Sequence, residues 1–174
     1  MNLNAEVKKQ LFKTFEILKT TLSVDQIPEI LSLTSYSIYA EFDTVKTVSS
    51  TGENEILKYF QDFVQRHNLI WVNVPVLKAA AHSYSDILRS LITFYGECTS
   101  TDEFGRQIVD LLQEWVGLNP SSLGSFYSSS ESVIALFQSL IGDCSNAVLY
   151  DGACGIGMIA NRLNPKKAIL RDIN

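Results

Sequence analysis

Two aspartates and a pair of glycines near the carboxyl end of the chain have the types and spacing of a ligand-binding loop. Asp151 closes a short apolar run, and Gly155 and Gly157 follow it. Asp172 closes the next apolar run. Glycines allow a backbone to turn sharply and to approach a ligand closely. An acidic side chain after the second run can accept hydrogen bonds from both hydroxyls of a ribose, so the spacing predicts a nucleoside site.

The elements that must position this loop are two strands and a helix. Ala147–Asp151 is predicted to be a short strand, Met158–Leu163 begins a helix, and Ala168–Asp172 is predicted to be a second strand. Strand, glycine turn, helix and strand form the opening βαβ unit of a nucleotide-binding sheet. Ligands of such sheets bind at the carboxyl ends of the strands, and Asp151 lies at such an end.

Two cofactors fit the loop, and a third interpretation needs none. Gly155-x-Gly157-x-x-Ala160 matches the dinucleotide fingerprint and leaves a nicotinamide dehydrogenase as one hypothesis. A pyrophosphate would be repelled by the Asp151 carboxylate. S-adenosylmethionine offers an α-ammonium group to Asp151, a ribose to Asp172 and no phosphate, so the spacing favours this methyl donor. The third interpretation is a structural turn that binds no ligand.

Residues 4–115 have the periodicity of helices. Asn4 is a plausible cap for the first helix, and Pro28 suits the first turn of the second. Ile30–Phe42 is apolar nearly all round, with Glu41 as its one charge, and is predicted to be the buried central helix of a bundle. The first helix carries an apolar stripe at helical spacing: Val7, Leu11, Phe12, Phe15, Leu18 and Leu22.

Later signals in this helical region concern its boundaries. Leu69–Val74 is β-prone, and Pro75 is expected to keep Val74 out of the helical region. Gly96 is expected to end a helix. Ser100–Glu103 has capping-box spacing. It opens a helix with one apolar face, made of Phe104, Ile108, Leu111, Leu112 and Trp115.

The 174 residues are predicted to form a mainly α chain in two parts. Residues 1–116 form an N-terminal helical domain, and residues 117–130, rich in serine with Gly and Asn-Pro, form a linker. Residues 131–174 open with a helix and begin an incomplete nucleotide-binding domain.

Composition narrows the class of protein. No apolar run approaches the roughly 18 residues that span a bilayer, and the N-terminus is polar, so a cytoplasmic location is expected. A net charge of −5 argues against a free-standing nucleic-acid binder. Cys98, Cys144 and Cys154 lack CxxC spacing, which indicates reduced thiols.

Several other residues have a structural interpretation. His67 and His82 lack carboxylate or thiol partners at ligand spacing, so no metal site is expected. Cys154 is interpreted as a small packing residue rather than a nucleophile. The lysines of the first helix are interpreted as a solvated face, and the resemblance described next implies contact with DNA phosphates as the alternative: Lys8, Lys9, Lys13 and Lys19.

The loop resembles a motif of known enzymes. Asp151–Gly157 reads Asp-Gly-Ala-Cys-Gly-Ile-Gly and resembles the D-P-x-C-G-T-G motif of adenine-N6 DNA methyltransferases. Arg171–Asn174 resembles their second-strand acidic motif. Gly124–Ser128 resembles the G-x-F-Y-T-P segment that precedes the cofactor motif in methylation subunits of type I restriction-modification systems. The resemblance is specific over residues 124–174, and over the preceding helices it is a shared pattern.

This resemblance implies a Rossmann-like methyltransferase domain and S-adenosylmethionine as its cofactor. Asp151, Gly155 and Gly157 would hold the methionine part, and Asp172 would hold the ribose. Phe126, Tyr127 and Ser128 would help to wall the pocket. The implied cofactor-binding residues are Asp151, Gly152, Ala153, Cys154, Gly155, Gly157, Asp172, Ile173, Phe126, Tyr127 and Ser128.

The chain departs from the family pattern at three positions and lacks one motif. Gly152 replaces the usual Pro, Ile156 the usual Thr, and Ser129 the Pro of F-Y-T-P, which loosens both segments. The catalytic N-P-P-aromatic motif is missing, because Asn164–Lys167 has neither a second Pro nor an aromatic residue. No catalytic residue is therefore assigned, and the chain alone is expected to be inactive.

The resemblance implies the N-terminal part of a site-specific DNA adenine-N6 methyltransferase. Its implied partners are DNA, a specificity subunit, a second methylation subunit and, in a complete system, a restriction subunit. The alternative is a non-catalytic assembly module derived from such a subunit, which the short chain and the loosened loop favour.

Overall fold

The structure is a computed structural model, and it describes residues 5–118, 129, 131–155 and 157–172. Eight α-helices and one two-stranded parallel sheet lie within these ranges, which confirms the mainly α class. None of the described helices has both the length and the apolar character needed to cross a membrane. The chain divides into two compact units, Met1–Ile108 and Val109–Asn174.

The helices and strands follow one another in a simple order. The first unit contains α1 (Ala5–Leu18), α2 (Ile27–Val48), α3 (Glu53–Arg66), α4 (Val74–Ala79), α5 (Tyr84–Glu97) and the start of α6 (Thr101–Leu118). The second unit contains the rest of α6, then α7 (Glu131–Ile141), β1 (Val148–Asp151), α8 (Met158–Leu163) and β2 (Lys167–Leu170).

The core of the first unit forms where α1 and α2 pack against α5. The predicted stripe of α1 is buried except at Phe12, which is half-buried. Pro28 lies in the first turn of α2, as predicted, where its missing N–H costs no hydrogen bond. Burial of a Leu or Phe side chain in such a core contributes about 1.5–3 kcal/mol.

The continuous buried stretch of α2 ends at Ile38, which corrects the prediction that the helix is buried to Phe42, and Val45 is buried again near its end. Every aliphatic side chain from Ile27 to Ile38 is buried, whereas Tyr36 is 37% and Tyr39 is 59% exposed. The backbone leaves helical geometry at Glu41 (φ −141°, ψ 47°). Phe42 is half-buried and stacks on Tyr95 with ring centroids 4.7 Å apart. The large apolar residues of Ile30–Phe42 therefore divide into a buried aliphatic set and the aromatic residues Tyr36, Tyr39 and Phe42, which lie nearer the surface.

Residues 69–73 form turns and irregular backbone rather than a strand, and Val74 is the first residue of α4, so the β-prone interpretation and the expectation of a non-helical Val74 are both wrong. Local backbone bonds close these turns, including Val72 N–H to the Leu69 carbonyl at 3.2 Å. Helix α4 begins at Val74 with Pro75 in its first turn, where a proline is tolerated. Gly96 lies inside α5, which ends one residue later, so it is not the terminator that the sequence predicts.

The start of α6 has the predicted capping interactions with one change of partner. The Ser100 hydroxyl accepts the Glu103 N–H at 3.1 Å, as in a capping box. The Glu103 carboxylate accepts the Thr99 N–H at 2.7 Å and the Thr99 hydroxyl at 2.6 Å, and these bonds lower the pKa of Glu103. The predicted apolar face of α6 is buried at all five positions: Phe104, Ile108, Leu111, Leu112 and Trp115.

The second unit has the predicted order of strand, glycine loop, helix and strand. Strands β1 and β2 pair in parallel, with Val148 opposite Lys167 and Asp151 opposite Leu170, and α8 lies between them in sequence. Arg162 on α8 contacts both other described helices of this unit, α6 and α7. Its guanidinium lies 2.8 Å from Asp110 on α6, and its carbonyl accepts a hydrogen bond from Gln138 on α7 at 3.2 Å.

Helix α7 forms as predicted, but most of its apolar side chains are exposed. Ile134 is buried, whereas the exposed set comprises Val133, Leu136, Phe137, Leu140 and Ile141. The boundary between the compact units falls within α6, whereas the sequence predicts a linker at 117–130. Residues 119–128 and 130 of that linker lie outside the described residues, and the linker stays a prediction.

The cap of α6 gives a direct test of the fold. Replacing Ser100 with Ala removes the acceptor for the Glu103 N–H and is expected to lower the free energy of unfolding by about 1 kcal/mol. Ser100→Asp supplies another side-chain acceptor and should retain most of the stability. Urea unfolding followed by circular dichroism measures both variants. Equal loss in the two variants would contradict the role of the hydroxyl as a cap.

Candidate functional site

The glycine loop connects β1 to α8 and has two backbone positions that favour glycine. Gly155 has φ of 50° and Gly157 has φ of 77°, both in the left-handed region. Gly157 is also the N-cap of α8, directly before its first residue, and a Cβ placed there would lie 3.5 Å from the Leu170 side chain. The turn therefore needs glycine at these two positions because both have left-handed backbone angles, whether or not a ligand binds.

Residues immediately after β2 hold the loop in place. The Arg171 N–H donates to the Asp151 carbonyl at 2.8 Å, and the Cys154 N–H donates to the Arg171 carbonyl at 3.0 Å. These bonds continue the pairing of the strands into the loop. The Gly155 N–H donates to Asp172 Oδ2 at 2.7 Å. The loop is thus attached to the carboxyl end of β2 by backbone and by side chain.

Four N–H groups of the described loop residues are directed at acceptors within the chain. The Ala153 N–H donates to Asp151 Oδ1 at 3.1 Å, and the Gly157 N–H donates to the Cys154 carbonyl at 2.8 Å. With the bonds of Cys154 and Gly155, two N–H groups meet carboxylates and two meet carbonyls. A phosphate-binding loop directs such groups at its ligand instead. This arrangement is therefore poorly suited to cradle a phosphate.

The structure brings most of the predicted cofactor-binding residues together. Those that lie in the glycine loop or directly after β2 are Asp151, Gly152, Ala153, Cys154, Gly155, Gly157 and Asp172. Phe126, Tyr127, Ser128 and Ile173 lie outside the described residues. The proposed walls of the pocket thus stay predictions, while the two carboxylates lie at adjacent strand ends.

Cys154 lies between the two carboxylates along the loop. Its partial burial and the negative charges of Asp172 and Asp151 raise the pKa of the thiol. A thiol with a raised pKa stays protonated at neutral pH and is a weak nucleophile. This environment favours the interpretation of Cys154 as a packing residue.

Sequence reasoning missed a polar cluster that joins α2 to α3. The Glu41 carboxylate accepts hydrogen bonds from Arg66 Nη2 at 2.8 and 3.0 Å, and from the Tyr59 hydroxyl at 3.3 Å. His67 Nε2 lies 3.0 Å from the same carboxylate. This carboxylate partner of His67 lies on another helix, so the search for partners at ligand spacing in the sequence did not reveal it. The available signal was Glu41 itself, the single charge in an apolar segment.

This Glu41 cluster is stabilising rather than catalytic in character. Burial alone would raise the pKa of Glu41, but hydrogen bonds from His67 and Arg66 outweigh it and hold the pKa below the ordinary 4.5. Burial and the Glu41 charge raise the pKa of Tyr59. The rings of Phe63 and Tyr36 lie 4.2 and 5.7 Å from the His67 ring. No group of three potential metal-ligating side chains occurs among the described residues.

Comparison of the chain with protein-family models, with curated proteins and with solved structures found no match. The chemistry of the loop and the order of the sequence motifs therefore carry the functional conclusion.

The Glu41 cluster generates a pH-dependent prediction. Glu41→Gln should lower the free energy of unfolding at pH 7 by about 1–2 kcal/mol, because it removes charge-assisted hydrogen bonds that join two helices. The native pKa of Glu41 is lowered, so its contribution is present above the ordinary pKa of 4.5 and is lost as the pH falls through the lowered value. Urea unfolding measured at intervals from pH 3 to pH 7 checks the prediction.

Asp62→Asn is the matched control, since Asp62 is an exposed carboxylate on the same helix α3. Its stability should follow the wild type within about 0.5 kcal/mol at every pH. A stability gap for Glu41→Gln that is as large at pH 3 as at pH 7 would contradict the assigned role of the carboxylate charge.

Proposed function

We propose that this chain is the N-terminal part of a site-specific DNA adenine-N6 methyltransferase, similar to the methylation subunit of a type I restriction-modification system. Its glycine loop is proposed to bind S-adenosylmethionine. The carrying observation is that two aspartates flank the loop and accept two of its N–H groups. Such a loop suits a ligand with a cationic end and a ribose, and it does not suit a pyrophosphate.

Asp151 is proposed to hold the α-ammonium group of the cofactor. Its carboxylate lies at the end of β1, where ligands of parallel sheets bind, and attracts a positive charge. Asp172 is proposed to accept the ribose hydroxyls at the end of β2. Gly155 and Gly157 keep the backbone free of side chains between the two carboxylates. S-adenosylmethionine, when bound, supplies an activated methyl group.

The nicotinamide alternative has less support from the loop. A dinucleotide would bring its pyrophosphate to N–H groups that already donate to Asp151 and Asp172. The match of Gly155-x-Gly157-x-x-Ala160 to the dinucleotide fingerprint is explained by the left-handed turn that both kinds of loop require.

Binding and methylation of the target adenine are assigned to a motif that these 174 residues do not contain. The N-P-P-aromatic motif that clamps an extruded adenine is absent from the sequence, so the chain contributes cofactor binding and assembly. The proposed partners are DNA, a specificity subunit, a second methylation subunit and a restriction subunit, and the proposed location is the cytoplasm.

A second candidate function is a non-catalytic assembly module derived from such a subunit. The exposed apolar side chains of α7 favour it, because contiguous apolar surface is typical of protein–protein contacts. Leu140, at 74% exposure, is the most exposed of them. The two functions differ in whether the glycine loop holds the cofactor.

Calorimetric titration of the chain with S-adenosylmethionine tests the proposal. Binding is expected, and Asp151→Asn should weaken it by about 10- to 100-fold, because a charge-assisted hydrogen bond to the α-ammonium group is lost. Asp143→Asn is the control, since Asp143 is another exposed carboxylate of the second unit and its loop hydrogen bonds lie before β1. It should bind as the wild type does.

Two outcomes would count against the cofactor assignment. Tighter binding of NAD than of S-adenosylmethionine would support the dinucleotide hypothesis instead. No binding of either compound by a chain that unfolds cooperatively would favour the assembly module.

A further inference from the structure

We propose that Asp172 is a specificity-determining residue that excludes phosphate from the glycine loop by occupying the Gly155 N–H with its own carboxylate. This inference rests on the proposed function and deepens it. It assigns to the loop the class of adenosine-bearing ligands that lack a phosphate at this position. The Asp172 carboxylate, which is proposed to bind a ribose, thus has a second role: it holds the Gly155 N–H in the chain without ligand.

Gly155 combines an open Cβ side with an N–H that a carboxylate already holds. The residue is in the left-handed region, and a Cβ placed there would have no heavy atom of the described residues within 4 Å, its two chain neighbours aside. The backbone is therefore open on the side where a side chain would lie, and a ligand could approach it closely. Its N–H is nevertheless engaged at 2.7 Å by Asp172 Oδ2, a short charge-assisted hydrogen bond.

The strand pairing delivers the Asp172 carboxylate to this place. Arg171, the residue before it, donates to the Asp151 carbonyl at 2.8 Å and accepts from Cys154 at 3.0 Å. The backbone at the end of β2 is thus fixed to both ends of the Asp151–Cys154 turn. Asp172 follows directly, and one short side chain reaches Gly155.

A phosphate at the loop would meet two like charges. It would have to displace Asp172 from Gly155 while Asp151 holds the Ala153 N–H at 3.1 Å. Like charges at such distances repel, and the N–H groups of Cys154 and Gly157 already donate to carbonyls. A ribose diol is neutral and donates hydrogen bonds to carboxylates. The same side chain therefore accepts the ribose of a nucleoside and rejects a phosphate at the Gly155 N–H.

Nuclear magnetic resonance of the full chain tests this exclusion with inorganic pyrophosphate as the probe. The amide resonance of Gly155 in the wild type should show no saturable shift. Asp172→Ala should show a saturable shift at Gly155, with an affinity at least about tenfold above the highest value that the wild-type titration allows. Asp172→Asn, which keeps an oxygen acceptor but loses the charge, should fall between the two, and Asp143→Asn should match the wild type.

Hydrogen exchange supplies a measurement that needs no ligand. In Asp172→Ala the Gly155 amide should exchange at least about tenfold faster, while the Ala153 amide, held by Asp151, should change little. The conservative Asp172→Asn variant keeps the inference testable if the alanine variant fails to fold.

The outcomes separate this inference from the proposed cofactor. Pyrophosphate binding at Gly155 that is equal in the wild type and in Asp172→Ala or Asp172→Asn would overturn the exclusion, even if S-adenosylmethionine binds. Absence of pyrophosphate binding in the folded variants would also overturn it. If the Asp172 variants gain pyrophosphate binding but the wild type does not bind S-adenosylmethionine, the exclusion is supported and the cofactor assignment is rejected.

Discussion

Because β1 and β2 pair in parallel, the carboxyl ends of both strands lie side by side, and the course of the glycine loop follows from that pairing. The ladder continues past β2 through Arg171, whose N–H and carbonyl bind Asp151 and Cys154. Without this extension, Asp172 would have no fixed direction relative to Gly155. The position of both carboxylates is therefore a property of the sheet as much as of the loop.

The first unit contains a long helix, α2, that is buried along one stretch and exposed along another. Helix α2 is buried at its beginning and exposed at Tyr39, and its geometry changes at Glu41. Kinks in helices usually follow a proline, a glycine or an inserted group, and residues 40–42 contain neither proline nor glycine. Here the groups that hold the break are side chains of α3, namely Tyr59 and Arg66, together with His67 directly after it.

Local signals predicted much of this fold. The periodicity of Val7, Leu11 and Phe15 was sufficient for α1, because those residues face one core. Capping chemistry at Ser100 marked the start of α6, and the order of strand and glycine loop marked the second unit. Each of these signals depends on neighbours within a few positions of the chain.

Features that depend on distant partners could not be predicted. Glu41 and His67 are far apart in sequence, so only the packing of α2 against α3 reveals their contact. The β-prone residues 69–73 form turns and irregular backbone, and no strand among the described residues lies beside them to pair with. The spacing of Asp151 and Asp172 indicated a ligand loop, but it did not reveal that both side chains bind the loop's own N–H groups.

A loop whose backbone hydrogen bonds are already made is preorganised. The conformational entropy of the Asp151–Gly155 segment is spent during folding, so an incoming ligand that keeps these bonds need not order the segment again. Association can then proceed as docking to a fixed surface, and differences in affinity among related ligands should appear mainly in how quickly they leave.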